Sequence, residues 1–130
     1  MHTLPGKTEI KIESLAELAV DCWRFQRWIG SRGDDDSLTV PKHVVRRLTR
    51  FLEEAAVITI DLTGQPFDPG LATEVIDTVK DASLLHDVAV ISETVSPIVM
   101  WENTAVKHAQ VVVRHNPSVC APNESEDVKS

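Results

Sequence analysis

The stretch FLEEAAVITIDLTGQPFDP, residues 51–69, holds the change of pattern that sets the fold class. Up to Ala55 the apolar residues Val44, Leu48, Phe51, Leu52 and Ala55 recur at helical spacing. From Val57 the pattern changes, because Val57, Ile58 and Ile60 are β-branched and begin a short strand. Leu62 to Pro66 reads as a turn. Phe67-Asp68-Pro69-Gly70 reads as a second, compact turn in which Asp68 can accept from backbone groups ahead of it. Helices therefore come first and strands follow, an α+β arrangement.

Upstream of this stretch lie two helical segments. Ser14 and Glu17 have capping-box spacing. Leu15, Leu18, Cys22, Phe25 and Ile29 share one stripe, with Ala16, Val20 and Trp23 beside it. The first helix is expected over Leu15 to Ile29, stopped by Gly30. Its apolar face is wide enough to meet more than one neighbour. Trp23 and Trp28 fall on different faces, one suited to the core and the other to a second subunit. SRGDDDSLT (31–39) is a polar loop; its aspartates lack the alternating spacing and final Glu of a calcium loop. Pro41 suits a first helical turn, so the second helix is expected over Pro41 to Ala55. Arg46, Arg47 and Arg50 line its outer side. They read as a solvated face, with Arg50 and Glu54 spaced for an ion pair, or as a docking surface for an acidic partner.

Downstream, Leu71 to Val79 reads as a helical turn or a strand. Val88 to Ile91 and Thr94-Val95 read as strand, and Pro97 marks an edge or a bulge. Ile98 to Trp101 and Thr104 to Val113 are two strands joined by a hairpin at Glu102-Asn103. Trp101, beside the hairpin tip, is either folded back on the strands or a contact anchor. Residues 1–12 read as a flexible lead-in, 57–114 as a small all-β lobe and 115–130 as a disordered tail.

The totals narrow the functional classes. With 130 residues the chain makes one domain or two small lobes. A net charge of −7 disfavours nucleic-acid backbones and anionic membranes as partners. No signal sequence or spanning segment is visible, and the two cysteines, Cys22 and Cys120, show no pairing pattern, so a cytoplasmic protein is expected. No nucleophile elbow, P-loop, HExxH or CxxC occurs. The five histidines lack ligand spacing, and Asp61 and Asp68 flank turns where structural roles are usual. Neither an enzyme nor a metal or cofactor is expected. The chain is expected to act by binding.

VITIDLTGQPFDPGLATEV (57–75) resembles the signature of the GrpE family of chaperone nucleotide exchange factors, in which a strand reaches a Pro-Phe-Asp-Pro turn. IVMWENTAVKHAQVVV (98–113) is similar to that family's terminal hairpin, and the two preceding helices match its bundle helices. The likeness covers roughly residues 13–114. It departs from the family pattern at several positions. The His and Glu after the Phe-Asp-Pro run are Ala72 and Thr73, and the Gly-Tyr pair is Ile98-Val99. Asn103 takes the turn glycine's place and Thr104 stands for a partner-contacting arginine. Lys107 replaces a later arginine, His108 a proline, and only a dozen residues precede the first helix where the family has a long coiled coil.

The resemblance implies a homodimer whose region 13–56 forms a four-helix bundle through Leu18, Cys22, Phe25, Leu48, Phe51 and Leu52. It also implies that a β lobe binds the ATPase domain of a DnaK-type chaperone and promotes ADP release. Pro66, Phe67, Asp68, Pro69, Trp101, Asn103, Thr104 and Lys107 would be the contact residues. The alternative is a dimeric adaptor on the same scaffold with lost or redirected exchange activity.

Overall fold

A computed structural model describes Gly6 and residues 8–116. Two helices precede six strands: α1 (Ile12–Arg32), a 3-10 turn (Asp36–Leu38), α2 (Thr39–Glu54), β1 (Val57–Ile60), β2 (Thr73–Lys80), β3 (Ala89–Ser96), β4 (Ile98–Trp101), β5 (Thr104–Lys107) and β6 (Ala109–His115). Among the described residues no helix is long and apolar enough to cross a membrane. The strands pair as two three-stranded sheets, β1-β4-β5 and β2-β6-β3.

Both ends of α1 differ from expectation. Ser14 lies inside the helix, so no capping box forms; the Ser14 and Leu15 N–H groups donate to the Lys11 carbonyl instead. Ile12 supplies the reason for the early start, since it packs on the core beside Leu15. Gly30 is passed without a break, and the helix stops at Gly33, where φ is +75° and a side chain would be strained. The last turn is held by the Ser31 hydroxyl donating to the Trp28 carbonyl at 2.7 Å and by the Arg32 guanidinium 4.7 Å from the Trp28 ring centroid. In the loop that follows, Asp35 accepts from the Ser37 N–H at 3.0 Å, which starts the 3-10 turn and holds the Asp35 carboxyl below its ordinary range.

The described residues divide into two compact units, one made of those up to 59 with 99–106 and the other of 60–98 with 107–116. In the first unit α1 and α2 form an antiparallel hairpin. Gln26 Nε2 donates to Thr49 Oγ1 at 3.1 Å, and the Cys22 thiol lies 3.5 Å from the same hydroxyl. Ala16, Ala19, Cys22, Val45 and Leu52 form its core. Val57 of β1 and Val99 of β4 join that core, and Val106 of β5 packs against it. The expected single β lobe over 57–114 is therefore corrected. The first sheet buries its valines on the helices, and only the second sheet stands in the other unit.

In the second unit the valine-rich strand β6 is central. It runs parallel to β2 and antiparallel to β3. Ala109, Val111 and Val113 are buried at alternate positions, as a period of two requires, and Ile91 and Thr94 sit opposite Val113 and Val111. Thr94 is fully buried. Its hydroxyl accepts from the Leu62 N–H at 3.1 Å and meets the Thr63 hydroxyl at 3.1 Å, which fixes the turn after β1. Of the stretch 71–79, Leu71 and Ala72 still belong to the turn and strand β2 begins at Thr73. The expected strand Thr104 to Val113 is instead two, interrupted at His108, where the chain passes from one sheet to the other. The tail expectation also shifts. His115 ends β6, and Asn116 is buried with its amide donating to the Leu84 carbonyl at 2.7 Å. Residues 117–130, with Cys120, lie outside the described residues, as do 1–5 and Lys7 of the lead-in.

Candidate interaction surfaces

The β4–β5 hairpin is built on a two-residue turn. Glu102 and Asn103 both have positive φ, 49° and 69°. That is the conformation that matches the twist of two adjacent antiparallel strands, and Asn tolerates it better than most residues. The Glu102 N–H donates to the Ala56 carbonyl at 3.2 Å, which anchors the turn beside the end of α2. Val99 is fully buried and Val106 half-buried, so one side of the hairpin is committed to the helices. Trp101, Asn103, Thr104 and Lys107 are exposed; Trp101 keeps 37% of its surface open, a large area for an indole that no core has claimed. Asn103→Val should destabilise the first unit by about 1–2 kcal/mol, because a β-branched residue resists left-handed backbone. Asn103→Gly should leave it unchanged. Urea denaturation of both variants checks the pair.

The Pro66–Pro69 turn belongs to the second unit. Residues 64–67 run along β3: the Gly64 N–H donates to Ile91 at 2.7 Å, the Phe67 N–H to Ala89 at 2.9 Å, and Pro66 bridges Val90. Phe67 is half-buried, whereas Pro66, Asp68 and Pro69 are exposed. The Asp68 carboxylate accepts from the Gly70 N–H at 2.9 Å, closing the turn on itself.

On the helix hairpin the six residues expected at a dimer interface separate by depth. Cys22 and Leu52 are buried in the core between the two helices, with the Cys22 thiol 4.0 Å from the Val45 carbonyl. Leu18 and Leu48 are half-buried against that core. Phe25 and Phe51 are exposed, at 36% and 44%. Trp23 is the buried tryptophan, with the Arg27 guanidinium 4.6 Å from its ring. Trp28 is the exposed one, stacked on Phe25 with ring centroids 5.9 Å apart. Two further exposed apolar residues, Val40 and Val44, line up with Phe51 along α2. Their spacing of four and then seven was visible in the sequence, but Val40 precedes the expected helix start. Among the described residues Arg50 and Glu54 form no ion pair, and Arg46 and Arg47 also lack a carboxylate partner.

Among the described residues no group of three His, Cys, Asp or Glu side chains could hold a metal ion. No protein-family model matches the chain, and no curated protein matches it.

Proposed function

We propose that the chain is a GrpE-like co-chaperone, a homodimer that binds the ATPase domain of a DnaK-type chaperone and promotes ADP release. The observation that supports this reading most is the hairpin. A tight left-handed turn at Glu102-Asn103 presents Trp101, Thr104 and Lys107 to solvent from a sheet seated on the helix pair. Exposed tryptophans on rigid strands are typical anchors of protein contacts. The Pro66–Pro69 turn supplies a second contact. The helix hairpins, with Phe25 and Phe51 still open to solvent, would complete a four-helix bundle with those of a second copy.

Such a protein accelerates release without bond chemistry. It binds the open, nucleotide-free chaperone better than the closed, ADP-bound one, and by linkage ADP then binds less tightly. Stopped-flow release of labelled ADP from the chaperone of the same cell tests this. Saturating protein is expected to speed release at least about tenfold, a lowering of the release barrier by ~1.4 kcal/mol. An unchanged rate would sink the exchange reading.

A second reading is supported by Thr104, which stands where the resembled family has a partner-contacting arginine. On this reading the dimer is an adaptor that kept the scaffold and redirected the hairpin to another protein. Restoring the charge with Thr104→Arg separates the two, because an exchange factor weakened at this position gains activity and an adaptor does not.

A further inference from the structure

The sheet β2-β6-β3 has two edges, and only one of them is closed. Along β3 the run 64–67 is the cover: the Gly64 N–H donates to the Ile91 carbonyl, the Ile91 N–H to the Gln65 carbonyl at 2.9 Å, and the Phe67 N–H to the Ala89 carbonyl. The opposite edge is β2, which pairs with β6 alone among the described residues. Every residue from Glu74 to Lys80 is exposed. The apolar layer of the sheet stops at this edge unfinished. Val111 is fully buried, whereas Val75, its neighbour in register, keeps 39% of its surface open. The other face of the edge is acidic. Glu74 and Asp77 stand in register with Gln110 and Val112, so they lie on the face away from Val111 and Val113. Glu93 lies on the far side of Val112 in the same row. Glu74 accepts from the Gln110 amide at 3.4 Å and Asp77 from the Thr78 N–H at 2.9 Å, each through one oxygen. None of the three carboxylates has an ion-pair partner among the described residues.

An open edge offers backbone N–H and C=O groups that an added strand can satisfy. We infer that β2 takes up an extended peptide segment of a partner protein as a fourth strand, one in which lysine or arginine alternates with an aliphatic residue. The alternation follows from the two faces of the edge. On one face a cation stands beside Glu74 or Asp77, an opposite-charge pair across strands. On the other an aliphatic side chain covers Val75 and completes the apolar layer. The bulge at Ile76 breaks the edge into two short runs, so a short segment fits it better than a long strand of a folded domain. A second copy of this chain fits less well, because its β2 would bring Glu74 and Asp77 to the seam with only Lys80 to meet them. Such binding needs neither the β4–β5 hairpin nor exchange activity.

The test titrates the isotope-labelled full chain with a capped peptide of three lysine–valine repeats and follows amide chemical shifts. At about 1 mM peptide the signals of Thr73–Lys80 are expected to move and those of α1 and α2 to stay in place. The same peptide with glutamate for lysine is expected to bind at least about tenfold more weakly. Methylating every backbone nitrogen keeps the charge and removes the donors, and should abolish the shifts. Glu74→Lys with Asp77→Lys should reverse the preference, making the glutamate peptide the tighter ligand. Either single substitution should narrow the preference, which serves if the pair does not fold. A lysine–valine peptide that moves no β2 signal overturns the inference. So does a methylated peptide that binds equally well, since charge alone would then hold it, and so do substituted chains that keep the full preference for lysine. Signals of β2 that move with protein concentration alone would make a second copy the occupant and overturn the peptide reading.

Discussion

Leu52→Asp is expected to unfold the helix-bearing unit, whereas Phe51→Asp, one residue away, should leave it folded. Leu52 is 5% exposed and lies in the core with Ala19, Cys22, Val57 and Val99. A carboxylate there must either take up a proton and sit neutral in the core or open the core to water. The loss should exceed ~4 kcal/mol, a large part of the stability of a domain this size. Phe51 is 44% exposed. A charge on that surface should change stability by less than about 1 kcal/mol while preventing the contact proposed between protomers. Circular dichroism melts together with sedimentation would separate these outcomes. A Phe51→Asp chain that unfolds like Leu52→Asp would place Phe51 in the core. One that stays dimeric would remove it from the interface.

Trp101→Ala carries the second large effect. The indole lies at the end of β4, next to the turn, and the strand's buried anchor is Val99. Truncation should therefore leave the melting temperature nearly unchanged. Partner affinity should fall about 30-fold, equivalent to ~2 kcal/mol, the loss expected when an aromatic anchor leaves a protein contact. The concentration needed for half-maximal ADP release would rise by the same factor. A variant with a lowered melting temperature and undiminished exchange would mean that the ring serves the sheet and not the partner.

Much of the fold was legible because its signals are local. The switch from helical spacing to β-branched residues after Ala55 marks the start of β1, and Glu102-Asn103 carries the turn in two residues. What escaped depends on tertiary pairing. Nothing in the run Thr104 to Val113 says that Val106 packs under the helices while Val111 enters a different sheet, since both are valines at strand spacing. The ends of α1 moved for a similar reason. Burial of Ile12 outweighed the Ser14 capping signal, and an interior Gly30 costs only about 1 kcal/mol against the packing of its helix. For the candidate surfaces, periodicity put Cys22, Phe25, Leu48, Phe51 and Leu52 in one class. Depth then divided them, because one apolar stripe has a centre that neighbouring elements cover and an edge that they leave open. The missing ion pair at Arg50 shows the same limit: spacing permits it, and solvation of an exposed helix face leaves little to gain from forming it.

Direct binding to the nucleotide-free ATPase domain of a DnaK-type chaperone tests the central claim of partner binding. In sedimentation of the full chain with that domain at micromolar concentration, a complex is predicted that ADP dissociates and that Trp101→Ala weakens. Two separate boundaries at tens of micromolar, unchanged by nucleotide, would contradict it.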